Sequence, residues 1–223
     1  MSFMTSRDAR STAVRDDATR PLIVGIGGTT RESSSSERSM ARCLSVAREL
    51  GAETLAIGGA EMPTEMYDPR NPLRSAAAAR LVEALRAADG VLIASPAYHG
   101  GISGHLKNAL DYTEDMRGDT RPYLDGRAVG LVVTAMGWQA GGTTLAALRA
   151  VVHALRGWPS PLGVIFNSST MSFETQGNCS DAATDEQLRA MTTQVVEFAR
   201  MKRLAAAMQV RTRSVRVSEA AVP

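Results

Sequence analysis

Leu22-Ile23-Val24-Gly25-Ile26-Gly27-Gly28-Thr29-Thr30-Arg31-Glu32-Ser33-Ser34-Ser35-Ser36 is the stretch that decides the fold. Leu22 to Ile26 is a short apolar run after Pro21, and it ends in Gly27-Gly28, which reads as a buried strand. Beyond the serines, Met40, Cys43, Leu44, Ala47 and Leu50 recur at helical spacing until Gly51 stops them. Strand, hydroxyl-rich loop and helix in this order open a parallel α/β sheet.

The alternation continues along the chain. Thr54-Leu55-Ala56-Ile57 is a second strand, followed by a loop with Pro63, Pro69 and Pro72. A helix from about Arg74 to Ala88 packs Ala78, Leu81, Val82 and Leu85. Val91-Leu92-Ile93-Ala94 is a third strand, broken at Ser95-Pro96, and a helix around Ser103 to Thr113 buries Leu106, Ala109 and Leu110. Asp115 to Gly126 reads as a loop. Ala128 to Ala135 is nearly continuous in apolar residues, as a strand covered on both faces should be. Leu145, Leu148, Val152 and Leu155 mark a helix ended by Gly157 and Pro159, and Leu162 to Phe166 is a fifth strand. The capping box Thr184-Asp185-Glu186-Gln187 opens a last helix with Leu188, Met191, Val195 and Phe198 inward. Five strands alternating with five helices make one doubly wound domain, with Rossmann-type and flavodoxin-like 2-1-3-4-5 strand orders both open.

The 223 residues carry 44% hydrophobic and 22% charged side chains, which suits a soluble globular protein and excludes a disordered one. The longest mostly apolar stretches fall short of the roughly 18–20 residues a membrane helix needs, so no membrane partner is expected. A net charge of +2 gives no support for nucleic acid as a partner. That charge is unevenly spread: residues 200–223 hold six basic side chains and one acid, Glu219. The domain expectations are a disordered N-terminal extension over 1–20, one domain over 21–203 and a basic tail over 204–223. Residues 1–20 have no apolar core of a secretory signal, and Cys43 and Cys179 have no metal-ligand spacing, so a cytoplasmic protein without a metal site is expected.

The first loop limits the ligand. A dinucleotide fingerprint needs a glycine where Thr30 stands, and an acid at the end of the second strand where Ile57-Gly58-Gly59 stands. No phosphate-binding Walker sequence occurs. Four serines, two threonines and Arg31, between a strand end and a helix N-terminus, suit a dianionic terminal monophosphate instead. Two further loops converge on the same edge of the sheet. They are Ser95-Pro96-Ala97-Tyr98-His99-Gly100-Gly101 and Met136-Gly137-Trp138-Gln139-Ala140-Gly141-Gly142, whose glycines let backbone approach a flat ligand.

These segments resemble the NADPH-dependent FMN reductase family of flavodoxin-like flavoproteins, over roughly residues 21–200. Gly28-Thr29-Thr30-Arg31 with Ser34 and Ser36 is similar to the family's G-S-x-R-x-x-S phosphate loop. Ser95-Pro96-Ala97-Tyr98-His99-Gly100, followed by Ser103-Gly104-His105-Leu106-Lys107-Asn108-Ala109-Leu110-Asp111, is similar to its S-P-x-Y…G-x-L-K-N-x-[IL]-D. The resemblance implies a five-stranded parallel sheet of order 2-1-3-4-5 with helices on both faces. It implies that Thr29, Arg31, Ser34 and Ser36 hold the FMN phosphate, that Pro96, Ala97, Tyr98 and His99 line the isoalloxazine edge, and that Gly137 and Gly141 approach the ring. It further implies hydride transfer from NADPH or NADH to FMN and onward to a small acceptor such as a quinone or to a partner monooxygenase, in a homodimer or homotetramer. Such chemistry needs ring stacking rather than a side-chain nucleophile, so no catalytic residue is expected. A flavodoxin-like electron carrier without nicotinamide chemistry is the alternative.

Overall fold

The computed structural model describes residues 20–220, with side chains as far as residue 209. The expected extension over 1–20 thus lies outside the described residues except for Arg20. Seven strands are present among them: β1 (Leu22–Gly27), β2 (Glu53–Ile57), β3 (Gly90–Tyr98), β4 (Gly101–Ile102), β5 (Ala128–Ala135), β6 (Trp158–Pro159) and β7 (Val164–Asn167). The helices are α1 (Ser35–Glu49), α2 (Ala76–Ala87), α3 (Gly104–Asp111), α4 (Trp138–Ala154) and α5 (Ala182–Ala220). The sheet runs β2-β1-β3-β5-β6, parallel throughout this path, which is the flavodoxin-like order and not the Rossmann one.

The period-two alternation of the strands sorts the core into two layers. Val24, Ile26, Val91, Ile93, Leu131 and Val133 face α2, α3 and α4, where Leu81, Leu85, Leu106 and Leu148 meet them. Ile23, Leu92, Val132 and Val164 face Cys43, Leu44 and Ala47 of α1 and Leu188, Met191 and Val195 of α5. α1 stops as expected: Gly51 follows its last turn at φ +83°, the left-handed cap that glycine adopts without strain.

Four expectations are corrected. First, β3 does not break at Ser95-Pro96 but runs on to Tyr98, with Ser95 and Pro96 in register with Val133 and Thr134 of β5. Proline is tolerated here because the Ala94 carbonyl takes the Gly28 N–H on the β1 side, and backbone groups two residues later point the same way, past the end of β1. Second, β3 turns back into β4 through His99 and Gly100, both at positive φ (+53° and +78°), the pattern of a tight two-residue hairpin. Third, the expected fifth strand over Leu162 to Phe166 is β7, and a further short strand, β6, pairs with β5 at Trp158–Pro159, where only the end of a helix is expected. Pro161, which has no N–H to donate, lies at the bend between β6 and β7. Fourth, the cap of the last helix is Asp181, whose carboxylate accepts the Thr184 N–H at 2.8 Å, so the helix begins before the expected capping box. Its backbone stays helical through Ala220, with no break at the expected start of the basic tail.

Side-chain staples hold the loops at the sheet ends. Asn108 of α3 accepts the Tyr67 N–H at 2.9 Å and donates to the Glu65 carbonyl at 2.8 Å. The Arg74 guanidinium sits over the Tyr67 and Tyr112 rings and binds both carboxylate oxygens of Asp115 at 2.7 and 2.8 Å. The Asn of the L-K-N motif therefore fixes a loop rather than a ligand.

Candidate functional site

A cleft of roughly 410 Å³ opens at the C-terminal ends of β1, β3 and β5, where the strand order reverses between β1 and β3. Its first wall is the β1–α1 loop. Gly28 hugs the start of α3: its N–H donates to Ala94 and its carbonyl accepts the Ser103 hydroxyl. An added Cβ would stand 3.0 Å from the Ala94 carbonyl oxygen and the Ser103 hydroxyl, a tight contact that glycine avoids. Thr29 and Ser34 to Ser36 line the cleft together with Arg31.

The hydroxyls of this wall are already ordered. The Thr29 oxygen accepts the Arg31 N–H at 3.2 Å, which bends the loop toward the cleft. Ser34 is the N-cap of α1, accepting the Glu37 N–H at 3.3 Å, and its hydroxyl pairs with that of Ser36 at 3.2 Å. The amides of Ser35 and Ser36 belong to the first turn, where N–H groups have no acceptor within the helix. The Arg31 guanidinium is exposed and makes no ion pair or hydrogen bond among the described residues. Two free amide donors, hydroxyls and one uncommitted guanidinium at a helix N-terminus form an anion cradle.

The second wall comes from the end of β3. Pro96, Ala97, Tyr98 and His99 all line the cleft, and Tyr98 is 58% exposed at its rim. His99 holds φ +53° without being glycine, a strained position stabilised by the hairpin beneath it. The third wall is Thr134, Ala135, Met136 and Gly137, with Ala140 one helical turn on and Ser168 after β7. Not one of the lining residues is a carboxylate, and Arg31 is the one fixed charge among them.

Nine of the ten residues that the sequence singles out meet on this cleft; Gly141 does not. α4 starts at Trp138 rather than after a long loop, so Gly141 lies in its first turns, facing β7. A Cβ there would stand 2.5 Å from the Ile165 side chain. Gly141 is a close-packing glycine against Ile165 and does not line the cleft. Ser35, Thr134, Ala135, Met136, Ala140 and Ser168 line the cleft without having been singled out. The end of the fourth strand was legible, but which of its last residues turn toward the cleft depends on register with β3 and β7.

Neither cysteine lies on the cleft, and burial pushes the Cys43 thiol up to about 12. No group of three His, Cys, Asp or Glu side chains that could hold a metal occurs among the described residues, and no described helix is long and apolar enough to cross a membrane.

Known proteins resemble this chain in sequence and in fold. An FMN-dependent NADPH-azoreductase of Staphylococcus aureus is 32% identical over 120 residues, 53% of this chain and 60% of that protein, so the matched part spans less than two thirds of the relative. The fold matches FerB, a flavoenzyme NAD(P)H:(acceptor) oxidoreductase of Paracoccus denitrificans, with a TM-score of 0.69 at 16% identity, covering 82% of this chain and 98% of that one. It also matches a WrbA-like flavodoxin of Agrobacterium tumefaciens, with a TM-score of 0.56 at 18% identity, over 82% and 99% of the two chains. Residues 21–170, from the strand before the anion cradle to the loop after β7, match the model of the NADPH-dependent FMN reductases, and the chain belongs to that family.

Proposed function

We propose that the protein is an NAD(P)H-dependent FMN oxidoreductase, passing hydride from a nicotinamide to FMN and on to a small acceptor such as a quinone or to a partner monooxygenase. The observation that carries this reading is the cleft itself: an anion cradle at one end, a partly aromatic wall at the other, and no carboxylate between. The donor set fits the cofactor. Arg31, the hydroxyls of Thr29 and Ser36 and the amides of Ser35 and Ser36 would hold the phosphate, while the Ser34 side chain keeps the helix start in place. Pro96, Ala97, Tyr98, His99 and Gly137 would border the flat ring.

Bound FMN would supply the hydride-accepting centre, as flavins do. The chain's own residues bind, orient and shield. The β3–β4 hairpin sets the height of Tyr98 and His99 over the cleft, and its register with Ile102 and Gly101 keeps that wall from drifting. A lining without carboxylates and with the Arg31 guanidinium would favour an anionic ligand electrostatically, as the phosphate of FMN is.

The same reading takes the protein as cytoplasmic and as a homodimer or homotetramer, which sedimentation of the purified chain would check. The central test is to add FMN to the purified protein, record its visible spectrum, and follow oxidation of NADPH and NADH with and without a quinone. Perturbed flavin bands with nicotinamide oxidation are expected. Flavin uptake without nicotinamide oxidation would turn the reading to an electron carrier, and no flavin uptake would remove both.

A further inference from the structure

At the opposite end of the sheet from the cleft, beside the end of α2 and the start of β5, lies an opening of roughly 460 Å³. Arg86, Gly118, Asp119, Thr120, Arg121 and Arg127 line it, and it shares no lining residue with the cleft. Three guanidiniums thus face one carboxylate. That carboxylate, Asp119, is taken by Arg86 at 2.8 Å, and Glu83 holds the same guanidinium at 2.6 Å. Neither Arg121 nor Arg127 has an ion pair among the described residues. Asp89 and Asp125 act on Arg127 from outside the opening, and Asp89 is bound to Arg203 at 3.0 Å.

What holds these two arginines is the end of α2. Arg127 donates to the carbonyls of Arg86 and Ala88 at 3.0 and 3.1 Å, and Arg121 donates to the same two at 3.0 and 2.8 Å. The last carbonyls of a helix need donors, and Arg127 alone supplies both. Arg121 repeats bonds already made, and the shared oxygens bring two like charges close together. Burial, and then the charge of Arg121, press the Arg127 guanidinium down to about 10. The Nε and Nη1 donors of Arg121 and the exposed Thr120 hydroxyl have no partner among the described residues. Arg127, 1% exposed, is fixed at the inner wall.

We propose that this opening is a second anion site, in which a phosphate dianion sits between the Arg121 and Arg127 guanidiniums and the Thr120 hydroxyl. The Arg121 fork grips two of its oxygens, Thr120 donates to a third, and Arg127 supplies a fixed charge from below. The site does not depend on the FMN reading of the cleft.

Inorganic phosphate tests it, titrated calorimetrically at constant ionic strength into protein carrying Arg31→Ala, so that the cradle at the other end contributes little. Saturable binding with a dissociation constant in the millimolar range is expected. Adding Arg121→Gln should weaken that binding about tenfold with the melting temperature kept, since Arg127 still serves both carbonyls. Arg121→Lys, which keeps the charge without the fork, should weaken it about threefold. Binding undiminished in both variants, or no saturable binding in the Arg31→Ala protein, would overturn the proposal.

Discussion

The two ends of β5 treat buried polar groups in opposite ways. At its start, Arg127 is 1% exposed and donates to four backbone carbonyls, those of Ala88, Tyr123, Asp125 and Arg86, at 3.0 to 3.2 Å. Burial, with Arg121 nearby, presses its guanidinium down to about 10, yet it stays charged at neutral pH because the carbonyls stand in for water. At the other end, Thr134 is almost as buried and has no partner among the described residues. One end is closed hydrogen-bond accounting that ties the end of α2 and the 123–125 turn to the sheet. The other is left open, beside an uncommitted Arg31. Full satisfaction marks where the fold is held; at the other end the polar group faces the cleft instead of the fold.

The comparison breaks most readily at Arg127. Arg127→Met should cost about 3–4 kcal/mol, because it leaves buried carbonyls without donors, while FMN affinity per folded molecule stays unchanged. Urea unfolding and flavin titration together check this; a stable variant with weakened flavin binding would erase the contrast between the ends.

A second holding contact is Arg42 with Asp185, which joins α1 to α5 through two bonds of 2.8 and 2.7 Å. The hydrogen bonds from Arg42 keep the Asp185 carboxyl below its usual range. A depressed carboxyl pKa contributes stability above the unfolded value of about 3.9, and that contribution is lost as pH falls through the folded value. Asp185→Asn should therefore cost about 1.5–3 kcal/mol at pH 7, with the gap to wild type closing below about pH 4. A gap that stays constant between pH 7 and pH 3 in denaturant melts would show that charge at Asp185 is not what joins the helices.

At the open end the expected changes are in affinity. Arg31→Ala should weaken FMN binding by about 1–3 kcal/mol through a lost charge-assisted contact, with stability changed by less than about 0.5 kcal/mol. An unchanged dissociation constant would take Arg31 out of the cradle.

The smallest effect is expected at Gly141. Alanine would press on Ile165, costing about 1–3 kcal/mol, offset by about 1 kcal/mol from its better helix propensity. The net is a loss of about 1 kcal/mol in stability with flavin affinity kept. Weakened affinity without lost stability would return Gly141 to the ligand wall.

Much of this was open to a reader of the chain alone. The strand–loop–helix alternation and the apolar core positions follow from periodicity, because a side chain's face is set locally by the geometry of strand and helix. The hydroxyl cluster with Arg31 pointed to a monophosphate because its chemistry lies in one contiguous loop. The resemblance added the wall from Pro96 to His99, all of which line the cleft.

What escaped depends on contacts between distant segments. That β3 survives its proline depends on where β1 ends beside it, and that Trp158–Pro159 forms the extra strand β6 depends on pairing with β5. Whether Gly141 meets a ligand or Ile165 is a matter of where α4 begins and what β7 places under it. Thr134 and Arg127 are ordinary polar residues in the sequence, and only packing makes one satisfied and the other not. The chain by itself determined the alternating elements, the two-layered core and the anion-binding loop, because each arises from neighbours in sequence. The tertiary structure alone decided the register of the strand ends, and with it which side chains the fold ties down and which face the cleft, because both depend on segments far apart in sequence.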